Sequence, residues 1–172
     1  MTAWVDALKE QSIPEYAKDT KLNLDAVIKR STLPVEEAEA VALAAAFATG
    51  NSKLWTWVHS QLANRVEADA ALTAASLMAQ NNVWYPFVEM ADDENLKGLP
   101  AQLRMNAIAS SGGTTKERFE AYSLAASIVG KCHFCVKAHY DGLKKMGYTV
   151  EQLRDIGRIA AVMNSVSKVL AN

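Results

Sequence analysis

The stretch TTKERFEAYSLAASIVGKCHFCVKAHYDGLKKMG, residues 114–147, carries no proline, and strand-type alternation of β-branched residues is hard to find in it or elsewhere in the chain. Its start sets Thr114 and Glu117 at capping-box spacing behind the loop SSGG. Its end sets Lys144 and Lys145 before Gly147, the charge and the residue expected where a helix stops. The stretch reads as helix that begins at a cap, runs into a Cys-x-x-Cys motif and ends at a glycine.

Helical punctuation continues on both sides. Pro34 with Glu36 and Glu37 suits a first turn, Gly50 suits a stop, and Ser52 can cap a helix carrying Trp55 and Trp57. All four prolines (Pro14, Pro34, Pro86, Pro100) precede the quoted stretch, and LKGLPAQ reads as a break at Gly98 and Pro100. Downstream, Thr149 and Gln152 offer a second capping box, opening a last helix through EQLRDIGRIAAVMNSVSKVL. These signals predict an all-α helical bundle of roughly seven or eight helices with short connections, one domain over residues 1–172. ADAALTAASLMAQNNVWYPF from Ala68 also aligns without gaps with FEAYSLAASIVGKCHFCVKA from Phe119, at an offset of 51. Either a helical unit is duplicated or Ala-rich helices simply align easily. In that register Asn81 falls opposite Cys132 and Trp84 opposite Cys135, so sulfur stands on one copy alone.

A chain of 172 residues, half of them apolar, can bury an ordinary core without structural disulfides. Eighteen Lys and Arg against 19 Asp and Glu give a net charge of -1 and no basic patch of the kind that tracks phosphates, so nucleic acid is not an expected partner. The start, MTAWVDALKEQSIPEYAKD, lacks the basic and apolar regions of an export signal. The most apolar run, AVALAAAFATG, is too short to span a membrane and suits a packed helix. A soluble cytoplasmic protein is expected. In that compartment thiols stay reduced, and a close cysteine pair is more often catalytic or metal-binding than structural.

Cys132, Cys135 and His139 stand at i, i+3 and i+7, one stripe of a helix. A helix N-terminus stabilises a thiolate, and Gly130 lets the chain turn into that start. His139, one turn beyond Cys135, can take its proton, so spacing favours Cys135 as the attacking sulfur, whereas thioredoxin-like pairs attack with the first cysteine. Zinc is the rival reading, since the pair plus a histidine supplies three ligand types, with His133 off the stripe and His59 the one other histidine. His133 reads as a polar neighbour of the pair, and His59 as an ordinary helix histidine. Met78, Met90, Met105 and Met163 read as core filler. Trp55 and Trp57, two apart, cannot share a helix face, so one packs and the other partly faces a partner or loop.

The segment FEAYSLAASIVGKCHFCVKAH resembles the alkyl hydroperoxidase D proteins of the carboxymuconolactone decarboxylase-like superfamily, whose motif is Glu, eleven residues, Cys, two residues, Cys, three residues, His. Here those positions are Glu120, Cys132, Cys135 and His139. PEYAKDTKLNL, MAQNNVWY and LRMNAIAS are similar to the same proteins, in the same order. The resemblance implies an all-helical, oligomeric antioxidant enzyme, a trimer, that acts as peroxidase and disulfide reductase. It implies that Cys135 is oxidised to a sulfenic acid, that Cys132 donates a proton and resolves it, and that His139 and Glu120 relay protons. It further implies no bound cofactor, and electrons from a lipoyl dithiol on a dihydrolipoyl acyltransferase recharged by lipoamide dehydrogenase. The implied partner is the peroxiredoxin component of alkyl hydroperoxide reductase. Within the pair this chain reads His133-Phe134 where a member of the family has Ser then His, which moves a histidine about 100° around the helix. Twelve residues of unbroken helix would hold Glu120 roughly 18 Å from Cys132. The helix must therefore break near Gly130 and fold back, or water or another subunit must bridge the gap. Lactone decarboxylation, which named the superfamily, needs no redox pair.

Overall fold

The computed structural model describes residues 2–171. Among the described residues there are ten α-helices and no strand: α1 (Ala3–Ser12), α2 (Lys18–Lys29), α3 (Val35–Ala48), α4 (Ser52–Gln61), α5 (Arg65–Ala91), α6 (Glu94–Lys97), α7 (Ala107–Ser110), α8 (Lys116–Gly130), α9 (His133–Lys145) and α10 (Val150–Val169). The all-α class is as expected. The count exceeds seven or eight because α6 and α7 are single turns of four residues, too short to leave a periodic pattern. No helix of the described residues is long and apolar enough to cross a membrane.

The Ala-rich α3 is buried on every side from Glu37 to Ala46, as a helix without a polar face must be. Around it lie α5, α8 and α10, whose inward faces complete one hydrophobic core through Met78, Phe119, Leu124, Ile156, Ile159 and Met163. Small side chains on α3, α5 and α8 let these helices pack closely. Asp155 on α10 ties this core to the link between α2 and α3, where its Oδ2 accepts from the Thr32 N–H at 2.8 Å and the Thr32 hydroxyl at 2.9 Å. The α9 helix lies across α8 and α5 at one end of the bundle.

Local signals are in places one residue out. Asn51, rather than Ser52, caps α4 by accepting from the Leu54 N–H at 3.1 Å. Thr115, rather than Thr114, caps α8, because Thr114 is drawn away to donate to Glu67 at 2.8 Å. The second capping box, Thr149 with Gln152, forms as expected. Both tryptophans of α4 pack: Trp57 lies edge-on to Trp4 at 6.4 Å and Trp55 against Phe47 at 5.3 Å. Met78 and Met163 are core residues, but Met90 is 78% exposed, near the end of an α5 that continues through Pro86 and out of the bundle. The two segments of the internal alignment pack against each other as α5 and α8, and they part ways where α5 runs on straight and the second segment breaks.

Candidate active site

The break falls at Lys131. Its N–H reaches the Ile128 carbonyl at 3.2 Å, and the next N–H, of Cys132, reaches Ser127 at 3.3 Å. This pair of bonds is a Schellman closure, which needs one residue in the left-handed region. Lys131 supplies it at φ +56. Gly130 remains helical, contrary to the expectation that it makes the turn, and its missing side chain serves another purpose. A Cβ there would stand 2.3 Å from Nδ2 of Asn82, the atom that donates to the Ala126 carbonyl at 3.2 Å. Glycine thus lets α8 approach α5, and lysine absorbs the turn.

Cys132 is the N-cap of α9, and its sulfur accepts from the Cys135 N–H at 3.2 Å. The two cysteines are joined as a disulfide, with Cys132 0% and Cys135 3% exposed. Cys135 Sγ lies 3.7 Å from the Asn81 carbonyl oxygen, an acceptor that a reduced thiol could serve and a thiolate would avoid. The helix N-terminus therefore favours the thiolate at Cys132.

Because the chain folds back, α9 runs beside the end of α8, and His139 Nδ1 lies 2.6 Å from Glu120 Oε2. The fold-back thus brings Glu120 to His139 within one chain. Both side chains are mostly buried. The other ring nitrogen, Nε2, lies 3.2 Å from Met78 Sδ, so His139 is held from two sides; its ring makes no hydrogen bond to either sulfur among the described residues. Met78, expected as core filler, is also a wall of the site. Gly142 faces Glu120, where a Cβ would still find 3.9 Å of room.

The remaining histidines stand apart. His133 is on the surface, 3.8 Å from Glu89, and His59 sits in a surface cluster with Arg65 and Asp69. Among the described residues no three His, Cys, Asp or Glu side chains gather as metal ligands. Phe134, at the altered position inside the pair, is half exposed and stacks on Tyr85 at 4.5 Å.

A second polar cluster, which left no signal in the sequence, is buried between α3, α5 and α8. Arg118 lies 2.7 Å from Glu67 and 3.9 Å from Glu37, Tyr122 donates to Glu67, and Tyr148 donates to Glu37 at 2.5 Å. Burial pushes the Glu37 carboxyl above its ordinary range despite these partners. Burial acts on Glu67 in the same sense, but its bonds from Tyr122, Arg118 and Thr114 together outweigh it and hold that carboxyl below the usual range. Arg118, beside the solvent-facing Glu117, is thus a structural ion partner.

The chain is similar to known proteins over nearly its whole length. The model of the carboxymuconolactone decarboxylase family matches residues 95–171. An alkyl hydroperoxide reductase AhpD of Maricaulis maris is 39% identical over 171 residues, covering 97% of both chains. Proteins of the same name from Coxiella burnetii and Rhodospirillum centenum are 39% and 38% identical, covering 93% and 96% of this chain and 93% and 90% of their own lengths.

Proposed function

This chain belongs to the alkyl hydroperoxide reductase AhpD family of the carboxymuconolactone decarboxylase superfamily, and from that premise we propose that it is a thiol peroxidase working through Cys132 and Cys135. The observation that carries the proposal is the juxtaposition of a Cys132–Cys135 disulfide at a helix N-terminus with a His139–Glu120 pair one turn further along.

In the proposed cycle the Cys135 thiolate attacks the terminal oxygen of a hydroperoxide. The O–O bond breaks, the alkoxide leaves as an alcohol with a proton relayed by His139 and Glu120, and Cys135 becomes a sulfenic acid. The Cys132 thiolate, already favoured by the N–H of residue 135, attacks that sulfur, the S–O bond breaks and water leaves. Two thiols and one hydroperoxide thus become a disulfide, an alcohol and water. A lipoyl dithiol returns two electrons and two protons.

The proposal includes the reductant and the company of the enzyme. These are a dihydrolipoyl acyltransferase recharged by lipoamide dehydrogenase, no bound cofactor, and the peroxiredoxin component of alkyl hydroperoxide reductase as a further acceptor of electrons, in the cytoplasm. A trimer is part of the same reading. Its support is the apolar surface of Val83, Phe87 and Met90 along the outer half of α5, 68%, 47% and 78% exposed, more than an isolated subunit needs to show.

A second reading draws on the cap at Cys132. If that sulfur is the better thiolate, the enzyme serves chiefly as a disulfide reductase for the peroxiredoxin, and peroxide turnover is incidental. Peroxide kinetics separate the two: with NADH, lipoamide dehydrogenase and lipoamide as the reducing chain, the first reading expects saturable turnover of an alkyl hydroperoxide by this protein alone. The second expects turnover only when the peroxiredoxin is added.

A further inference from the structure

We infer that the Ser127 hydroxyl is the hydrogen-bond donor that receives the Cys132 sulfur when the disulfide opens, and that it thereby makes the pair easier to reduce. The inference rests on the reading that the Cys132–Cys135 disulfide is redox-active, and it adds a residue that the His139–Glu120 pair leaves out.

Ser127 is 0% exposed, and among the described residues its Oγ finds no hydrogen-bond partner. A buried helical serine ordinarily donates to a carbonyl one turn back, as Ser123 does to Phe119 at 2.8 Å. A buried hydroxyl without a partner is costly and rare, so its place in the fold matters. That place is opposite Cys132. Glu120 and Ser127 stand seven residues apart on α8, about two turns and within about 20° of one line. Cys132 and His139 stand seven apart on the returning segment, and contacts fix both ends of the pairing. His139 Nδ1 lies 2.6 Å from Glu120 Oε2, and the Cys132 N–H reaches the Ser127 carbonyl at 3.3 Å. Ser127 is therefore on the side of α8 that Glu120 turns to α9, at the level of Cys132.

The oxidised pair gives this hydroxyl little to donate to. Cys132 Sγ is bonded to Cys135 Sγ and accepts from the Cys135 N–H at 3.2 Å, and sulfur without charge is a weak acceptor. Two electrons and two protons convert the disulfide into two thiols. Loss of one proton then leaves a thiolate, which the helix N-terminus favours at Cys132. The freed sulfur draws away from its former partner and carries a charge, and a hydrogen bond to a charged acceptor is roughly twice as strong as one to a neutral acceptor. The serine is thus unsatisfied in one redox state and satisfied in the other, and the difference favours the reduced form. The second buried atom without a partner, Asn82 Oδ1, lies on the α5 side of the same turn, where Asn82 Nδ2 donates to the Ala126 carbonyl at 3.2 Å. Carrying no hydrogen, that oxygen offers a thiolate nothing. A water joining the two orphaned atoms is the competing arrangement, and it would serve both redox states alike.

The test equilibrates the full-length protein, Ser127→Ala and Ser123→Ala with mixtures of reduced and oxidised dithiothreitol, and reads the dithiol fraction by alkylation and mass spectrometry. Ser127→Ala should lower the equilibrium constant for reduction about tenfold, the size of a hydrogen bond to a charged group, which moves the reduction potential about 30 mV more negative. Ser123→Ala, which loses a hydroxyl already bonded to the backbone, should stay within about twofold of the parent. Urea unfolding of both redox forms reads the same difference independently: Ser127→Ala should lose stability as the dithiol and not as the disulfide. A change in the equilibrium constant of less than about threefold, or in the opposite direction, overturns the inference. An equal loss of stability in both forms, the mark of the bridging water, overturns it as well. No peroxide is used, so the outcome stands apart from whether the protein is a peroxidase. A pair that dithiothreitol fails to reduce in the folded protein would remove the redox reading itself, whereas an unchanged potential would remove the serine's part alone.

Discussion

His139 and Glu120 touch, Nδ1 to Oε2 at 2.6 Å, although they belong to different helices and to opposite sides of a chain reversal. The contact depends on a single left-handed residue, Lys131, and on the glycine before it. Shape and chemistry are coupled at this one turn.

Glu120→Gln keeps the shape of the side chain and removes its charge. Peroxide turnover should fall by about 10²-fold, the range of a lost acid–base partner. Because the pair works as one unit, Glu120→Gln combined with His139→Asn should be little worse than the poorer single variant. Steady-state kcat/KM for the four proteins measures this, and fully multiplicative losses would count against a relay.

Gly130→Ala would drive a methyl into the Asn82 amide and cost the bond to the Ala126 carbonyl, about 1–3 kcal/mol. Lys131→Gly relieves a left-handed lysine and should stabilise by up to about 1 kcal/mol. Urea denaturation of both variants checks these opposite signs. A destabilised Lys131→Gly would mean that the lysine side chain itself holds the turn.

Glu67 and Glu37 share Arg118 yet should respond oppositely to pH. The Glu67 carboxyl is depressed, so its contribution is present above the ordinary carboxylate range and is lost as pH falls through the lowered folded value. The Glu37 carboxyl is raised, so its contribution is full below the ordinary range and is lost as pH rises through the raised folded value. Glu67→Gln should therefore cost about 1–3 kcal/mol at neutral pH and progressively less on acidification. Glu37→Gln, whose amide oxygen can still accept from Tyr148, should gain relative to the parent as pH rises. Thermal melts between about pH 4 and pH 8 read both trends.

Phe87→Glu places a charge within the exposed apolar strip of α5. The parent should elute as a trimer by size exclusion with light scattering and the variant as a smaller species. A parent that is monomeric at micromolar concentration would rule the trimer out.

The cysteine pair and His139 were legible because helical spacing is a local property, and spacing places all three on one stripe. Glu120 was not, since its reach depends on a reversal; only the family resemblance singled it out. The place of the break was foreseeable and its agent was not, because the rule that glycine takes the left-handed position is overridden where Asn82 needs the space at Gly130. Met78 and Asn81 approach the site from α5, far away along the chain, and carry no local signal of it. Glu67 looks like an ordinary first-turn acid, and its burial beneath Arg118, Tyr122 and Thr114 is a tertiary fact. The missed caps have the same origin: between adjacent eligible residues, the choice falls to whichever side chain has no better partner elsewhere.

Whether the cysteine pair is a peroxidase centre is tested most directly by reduction of an alkyl hydroperoxide with NADH, lipoamide dehydrogenase and lipoamide, comparing the native protein with Cys135→Ser and Cys132→Ser. Turnover by the native protein alone, its loss in both variants, and a sulfenic acid trapped on Cys135 in Cys132→Ser is the predicted result. A native protein that neither turns over nor forms the Cys132–Cys135 disulfide when its reduced form meets peroxide would contradict it.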